Sequence, residues 1–331
     1  MKQVFDNTKR CCTCRIGCAM IMVFLMSMFW IPDGAEAVSS KPPRQISFVS
    51  PEEGVNAMIA AMKMNDVKTL TAIVGPVGKE FEYAISDKDI VGAFLTSYQE
   101  KNTIEMLGDT IAILCTGKGD WPFPVPLVKI GQEWHFDTKA GKEEILNRII
   151  GRNELSAVQV CLAYVDAQRE YALGDHDRDG YFEYAQKLVS DPGQKNGLYW
   201  ETKEGEKPSP LGPAIAMATK EGYKKMPGGL SASGHPLPYH GYYYKILKAQ
   251  GKNTPGGAYD YIANGKMIGG FALVAYPAKY GHSGVMSFIV HMDGIVYQKN
   301  LGKNSAKIAE ALKQFDPDKT WNIVEYGQAV K

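Results

Sequence analysis

The chain has 331 residues, with 37 Lys and Arg against 36 Asp and Glu, so its formal net charge is +1. A balance so close to zero excludes the basic surface that nucleic acid or an anionic membrane asks of a partner. Hydrophobic residues make up 45%, enough for ordinary cores, and the length suits one to three domains at roughly 100–200 residues each.

In chain order, the first segment reads as an export signal. Lys2, Lys9, Arg10 and Arg15 stand against one acid, Asp6, and an uncharged run from Ile16 to Ile31 follows. Pro32, Asp33 and Gly34 break the run, and Ala35-Glu36-Ala37 gives a small-x-small pattern. That order predicts a secretory signal peptide over residues 1–37, cut between Ala37 and Val38, and a periplasmic or secreted product. The run is short of the ~20 apolar residues of a spanning helix. An inner-membrane anchor over residues 16–31 is the alternative. The membrane enters the reading only through this segment, if it stays uncleaved. Cleavage removes Cys11, Cys12, Cys14 and Cys18, and leaves equal numbers of basic and acidic residues. Cys115 and Cys161 remain. An oxidising compartment would let them pair; two buried thiols are the competing reading.

Ser50-Pro51-Glu52-Glu53 predicts a helix start, with Ser50 as N-cap, Pro51 in the first turn and Glu53 closing a capping box. Val55, Met58, Ile59 and Met62 follow at helical spacing. A second helix is predicted from Asp66 to Val74, stopped by Gly75. A third begins near Ser86 and carries Ile90, Val91, Phe94, Leu95 and Tyr98 on one face. Strands are predicted at Thr110–Cys115, Val125–Ile130 and Glu133–Asp137, the last two as a hairpin around Gly131. The prolines of Trp121–Pro126 bar that stretch from a central strand, so it reads as an edge or an extended linker. A Pro-rich ligand segment is its functional alternative.

Residues 141–150 read as helical, and a longer helix restarts at Gly151-Arg152-Asn153 with Asn153 as N-cap. Ala157, Cys161, Tyr164, Gln168 and Tyr171 make one stripe, and Leu155, Val158, Leu162 and Val165 its neighbour. A helix apolar over so wide an arc is buried on more than one side. A short helix at Leu211–Tyr223 and a flexible loop at Pro227–Pro238 come next. Strands follow at Gly241–Ala249, Gly270–Tyr276, Gly284–His291 and Ile295–Asn300. Asp293-Gly294 is the hairpin turn between the last two. A final helix spans Ser305–Phe315.

The fold class is therefore α+β in two subdomains. Residues 38–148 form a small helix-on-antiparallel-sheet domain, whose element order is similar to the cone of cystatin-like and nuclear-transport-factor-like proteins. Residues 149–331 form a long helix plus antiparallel meander, which resembles the globular part of type IV pilins and pseudopilins. The phrases Asp120-Trp121-Pro122-Phe123-Pro124, Ile149-Ile150-Gly151-Arg152-Asn153-Glu154-Leu155 and Tyr164-Val165-Asp166-Ala167-Gln168-Arg169-Glu170-Tyr171 go further. So do Tyr239-His240-Gly241-Tyr242-Tyr243 and Pro255-Gly256-Gly257-Ala258-Tyr259-Asp260-Tyr261. With them, nearly the whole mature chain resembles the DUF2950 family of exported bacterial proteins, which implies export and brings no assigned activity.

Among local signals, Asp175-His176-Asp177-Arg178-Asp179-Gly180 begins as a calcium loop does: alternating carboxylates, then a glycine for the turn. In that register Tyr181 gives its carbonyl and Glu183 binds directly or through water, while Gln186 stands where the bidentate acid belongs. Calcium is the one cofactor this suggests. A solvated turn whose Asp side chains cap their own backbone is the competing reading. Tyr239, His240, Tyr242 and Tyr243 make an aromatic patch able to stack on a sugar or peptide, or else serve the core. Gly281-His282-Ser283-Gly284 sets a His beside a Ser, but neighbours on a strand face opposite ways. The leading expectation is a non-catalytic binding or assembly module for an envelope protein or polymer. An envelope hydrolase with a pocket in the N-terminal domain and a calcium-stabilised structural protein are the alternatives.

Overall fold

The computed structural model describes residues 45–214 and 237–325. The signal segment with Ala37 and Val38, most of the helix expected at 211–223 and most of the loop expected at 227–238 lie outside the described residues.

Four helices open the fold. Helix α1 (Pro51–Lys63) is capped by the Ser50 hydroxyl, which accepts from the Glu53 N–H at 3.2 Å. The Glu53 carboxylate accepts from the Val49 N–H at 2.8 Å, one residue earlier than a capping box requires. Val55, Met58, Ile59 and Met62 are all buried, as their spacing demands. Asp66 caps α2 (Val67–Val74), and Asp87 caps α4 (Lys88–Glu100). Helix α3 (Lys79–Ser86) was not foreseen.

These helices pack on an antiparallel sheet in which β1 (Asn102–Leu107), β2 (Ile111–Thr116), β4 (Leu127–Ile130) and β5 (Glu133–Phe136) lie in that order. Strand β1 escaped prediction because four of its six residues are exposed, which erases the alternation that marks a strand. The two-residue strand β3 (Trp121–Pro122) pairs only with the end of β2, where a proline costs no ladder bond. Gly131 turns the β4–β5 hairpin at φ +64.

Helix α5 (Thr138–Tyr171) corrects the expected restart at Asn153. It runs unbroken for 34 residues, about 50 Å at 1.5 Å per residue. Asp137 caps it, accepting from the N–H groups of Lys139 and Ala140 at 3.0 Å. Asn153 is no cap: its amide donates to the Ser283 carbonyl at 3.0 Å. The neighbouring Glu154 carboxylate accepts from Val285 and Met286, both at 2.9 Å. Those long-range bonds hold the helix through Gly151, whose local cost is only about 1 kcal/mol relative to Ala.

The second sheet orders β6 (Tyr242–Leu247), β11 (Ala272–Pro277), β12 (Ser287–His291), β13 (Val296–Lys299) and β14 (Asn322–Ile323), all antiparallel. Two small pairs lie between, β7 (Ala249–Gln250) with β8 (Tyr259–Asp260) and β9 (Ile262–Ala263) with β10 (Lys266–Met267). Every residue of β11 and β12 is buried, the pattern of strands covered on both faces. Helix α5 packs on β11, β12 and β13, and helix α6 (Ser305–Ala311) packs on β11. The apolar interior forms two clusters. One joins α1–α4 to the first sheet, and the other joins the C-terminal half of α5 to the second. The boundary expected near residue 148 falls inside α5, and residues 45–324 form one compact unit. Among the described residues no helix is long and apolar enough to cross a membrane.

Candidate ligand-binding pocket

The first cluster does not close completely. Helices α3 and α4, strand β3 with the Pro-Phe-Pro stretch behind it, and the N-terminal half of α5 surround a pocket of about 300 Å³. Its wall is apolar, with Phe81, Ile85, Phe94, Trp121, Phe123 and Ile145 prominent. Phe123 is the hinge of this wall. Its ring lies 6.4 Å from Phe81, 5.6 Å from Phe94 and 6.4 Å from Phe136, in edge or tilted contacts. The prolines flanking Phe123 keep the chain extended, so that the ring enters the core while Pro122 and Pro124 line the opening. Two polar side chains reach the lining, Thr116 and Arg148. Thr116 is buried and accepts from the Ser97 hydroxyl at 3.4 Å. Arg148 stands one turn beyond Ile145 on α5. Its Nε donates to Glu144 at 2.7 Å and its Nη2 to the Pro122 carbonyl at 2.9 Å. Sequence reasoning found the Trp-Pro-Phe-Pro edge but missed Arg148 and Phe81, which join it only through the tertiary fold.

The acidic loop follows α5. Asp175, Asp177 and Asp179 bring carboxylate oxygens within 4.8 Å of one another. The Asp175 carboxylate accepts from the N–H groups of Arg178, Asp179 and Gly180 at 2.7, 3.2 and 2.9 Å. Those bonds, Gly180's foremost, hold its pKa below the ordinary carboxylate value. The positive charge comes from Lys266, brought over by the β9–β10 hairpin. Its ammonium contacts Asp179, lies 3.1 Å from Asp177 and 3.6 Å from Glu183, and sits 5.6 Å from the Tyr181 ring centre. The Lys266 bond is also the main cause of the lowered Asp179 pKa. A metal ion using the same oxygens competes with this lysine. Gln186, at the twelfth position, is engaged by the Gly265 carbonyl at 2.7 Å and Lys248 at 3.0 Å.

The aromatic segment divides between core and partly exposed positions. Tyr242 is fully buried and Tyr239 nearly so. Tyr242 donates to the Met286 carbonyl at 2.8 Å, and burial pushes its pKa well up. Tyr243 is half-buried against Tyr276, with ring centres 5.7 Å apart, and the His240 ring leans on Tyr239 at 4.1 Å. The segment serves the second core because Gly241 and Gly284 let it pack under α5. Nor do Ser283 and His282 form a nucleophile and base. The Ser283 hydroxyl exchanges bonds with the Lys279 backbone, and the His282 ring meets the Tyr280 carbonyl. The disulfide alternative is likewise replaced: Cys115 and Cys161 are buried thiols. Cys115 lies on β2 and Cys161 on the face of α5 that enters the second cluster. Burial pushes the Cys161 thiol up to about 12, so it is a poor nucleophile at neutral pH.

A family profile described as protein of unknown function (DUF2950) matches residues 45–324. The chain belongs to the DUF2950 family. No curated protein and no solved structure matches it, so the likenesses to cone-shaped domains and to pilins rest on element order alone. Within this DUF2950 protein the phrases that carry the family resemblance have separate tasks. Trp121–Pro124 builds part of the pocket wall. Asn153 meets Gly241 and Ser283, and Glu154 meets Val285 and Met286, in one lock. Gln168, fully buried, pairs its amide with both backbone groups of Ala185 at 2.8 Å and donates to the Tyr164 hydroxyl at 3.0 Å. Gln250, next to Tyr261, ties down Pro255 and Gly257 at 3.0 and 2.7 Å.

Proposed function

We propose that this DUF2950 protein is exported and acts as a non-catalytic binding module of the cell envelope, with the pocket under Trp121–Pro124 as its ligand site. One observation carries the reading: a concave apolar surface of about 300 Å³ with only Thr116 and Arg148 as polar lining. That volume is at the lower end of small-molecule sites, and apolar walls with few polar groups are their usual make-up. The hydrolase alternative uses the same pocket but asks for a base beside a nucleophile, and the polar side chains of its lining, Thr116 and Arg148, include no base. The calcium alternative has to displace Lys266. Export rests on the order of basic, apolar and small residues before Val38.

Binding is tested with the neutral fluorophore N-phenyl-1-naphthylamine on the purified chain. One saturable site is expected, and Ala84→Phe, which places a ring in the pocket, weakens it about tenfold or more, a loss of ~1.4 kcal/mol. Absence of saturable binding, or binding indifferent to Ala84→Phe, overturns the pocket reading. Export is checked separately by intact mass, which should lack residues 1–37.

A further inference from the structure

Resting on that reading, the geometry points to a more definite ligand: an unbranched acyl chain ending in a carboxylate, with its tail in the pocket and its head on Arg148. The polarity of the site is divided by position. The wall from Phe81 through Phe94 to Phe123 is hydrocarbon, and the one charged group of the lining, Arg148, is on the stretch of α5 that borders it. Its side chain is 41% exposed and also lines the pocket, so it is open both to water and to the apolar wall, as a long cation on hydrocarbon can be. Of its five N–H donors, one goes to Glu144 and one to the Pro122 carbonyl. Among the described residues the three that remain meet no acceptor, and we assign them to the anion.

Those two bonds also fix the plane of the guanidinium, which lowers the ordering cost of a further carboxylate contact. An amphiphile with one acidic end matches this division. A neutral alcohol would gain the apolar part only, and a cationic head would meet Arg148 as a like charge. Glu144 sets a limit: the incoming carboxylate must share the guanidinium with it, so the head contributes about tenfold rather than many orders of magnitude.

The test is calorimetric titration of the purified chain at neutral pH with decanoate, decan-1-ol and decyltrimethylammonium. Decanoate should bind about tenfold tighter than decanol, a charge-assisted hydrogen bond's worth, and decyltrimethylammonium weakest. Arg148→Met should erase the decanoate preference, so that decanoate and decanol bind that variant equally. Arg148→Lys, which keeps the charge, should retain part of the preference. Equal affinities for decanoate and decanol, or a preference that survives Arg148→Met, overturn the headgroup assignment while leaving the pocket standing. Failure of all three to bind removes the pocket reading itself.

Discussion

The two apolar clusters solve packing in opposite ways. The second, around β11 and β12, is filled on both faces and takes its polar groups inside. Gln168 substitutes for a strand partner of Ala185, and Tyr164 donates to the Ala272 carbonyl at 3.2 Å. Burial pushes Tyr164 and Tyr242 above the ordinary tyrosine range. The first cluster is built from rings around Phe123 and stops short of closure. Completeness of packing, more than polarity, separates the part that holds the fold from the part with room for a guest.

Substitutions can break this comparison. Gly284→Ala should be the most damaging, since its Cβ would lie 2.1 Å from the buried Tyr242 hydroxyl oxygen. A loss of at least about 4 kcal/mol is expected in denaturant melts. Gln168→Leu follows, leaving both backbone groups of Ala185 without partners, at about 3 kcal/mol. The sharpest contrast is a matched pair. Ala275→Leu, on the buried central strand, should cost about 2 kcal/mol by overpacking, while Ala84→Leu, beside the pocket, should change stability by less than about 0.5 kcal/mol. Equal costs at the two positions would mean that the first cluster is as full as the second.

The smallest effect concerns pH. Asp175 and Asp179 have folded pKa values below the ordinary 3.8, so their stabilisation is complete above that value and is lost as pH falls through the lower folded values. Lys266→Met should lower stability at neutral pH by an amount that shrinks as pH falls below 3.8 through the lowered folded values. It should leave the part due to Asp175, which rests on backbone N–H groups. A melting-temperature series from pH 7 to pH 2.5, wild type against variant, measures both.

Local chemistry was legible where a residue acts on its neighbours. Ser50 caps the helix it was expected to cap, the second helix starts at Asp66 as expected, and Gly131 and Gly294 turn their hairpins. Reading failed where a distant partner outweighs the neighbours. Asn153 looks like a cap and is instead bound to Ser283, 130 residues away. Lys266 stands 89 residues from Asp177, so the acidic loop shows its charges in the sequence without the charge that neutralises them. Tyr239 and Tyr242 look like a patch because aromatic residues suit both surface stacking and core, and only the sheet decides. The pocket was half visible: the prolines announce an edge, but nothing near them announces Arg148.

One consequence of the unbroken α5 concerns phase. Ile145 and Arg148 face the pocket, while Ala157, Cys161, Tyr164 and Gln168 enter the second cluster. A helix advances about 100° per residue, so the stretch between Arg148 and Ala157 sets the angle between the two sets. Substitutions there leave that angle alone, but a single inserted or deleted residue turns one set about a quarter-turn against the other. Helix α5 works as a spindle whose length in residues, more than its composition, keeps the pocket and the core in step.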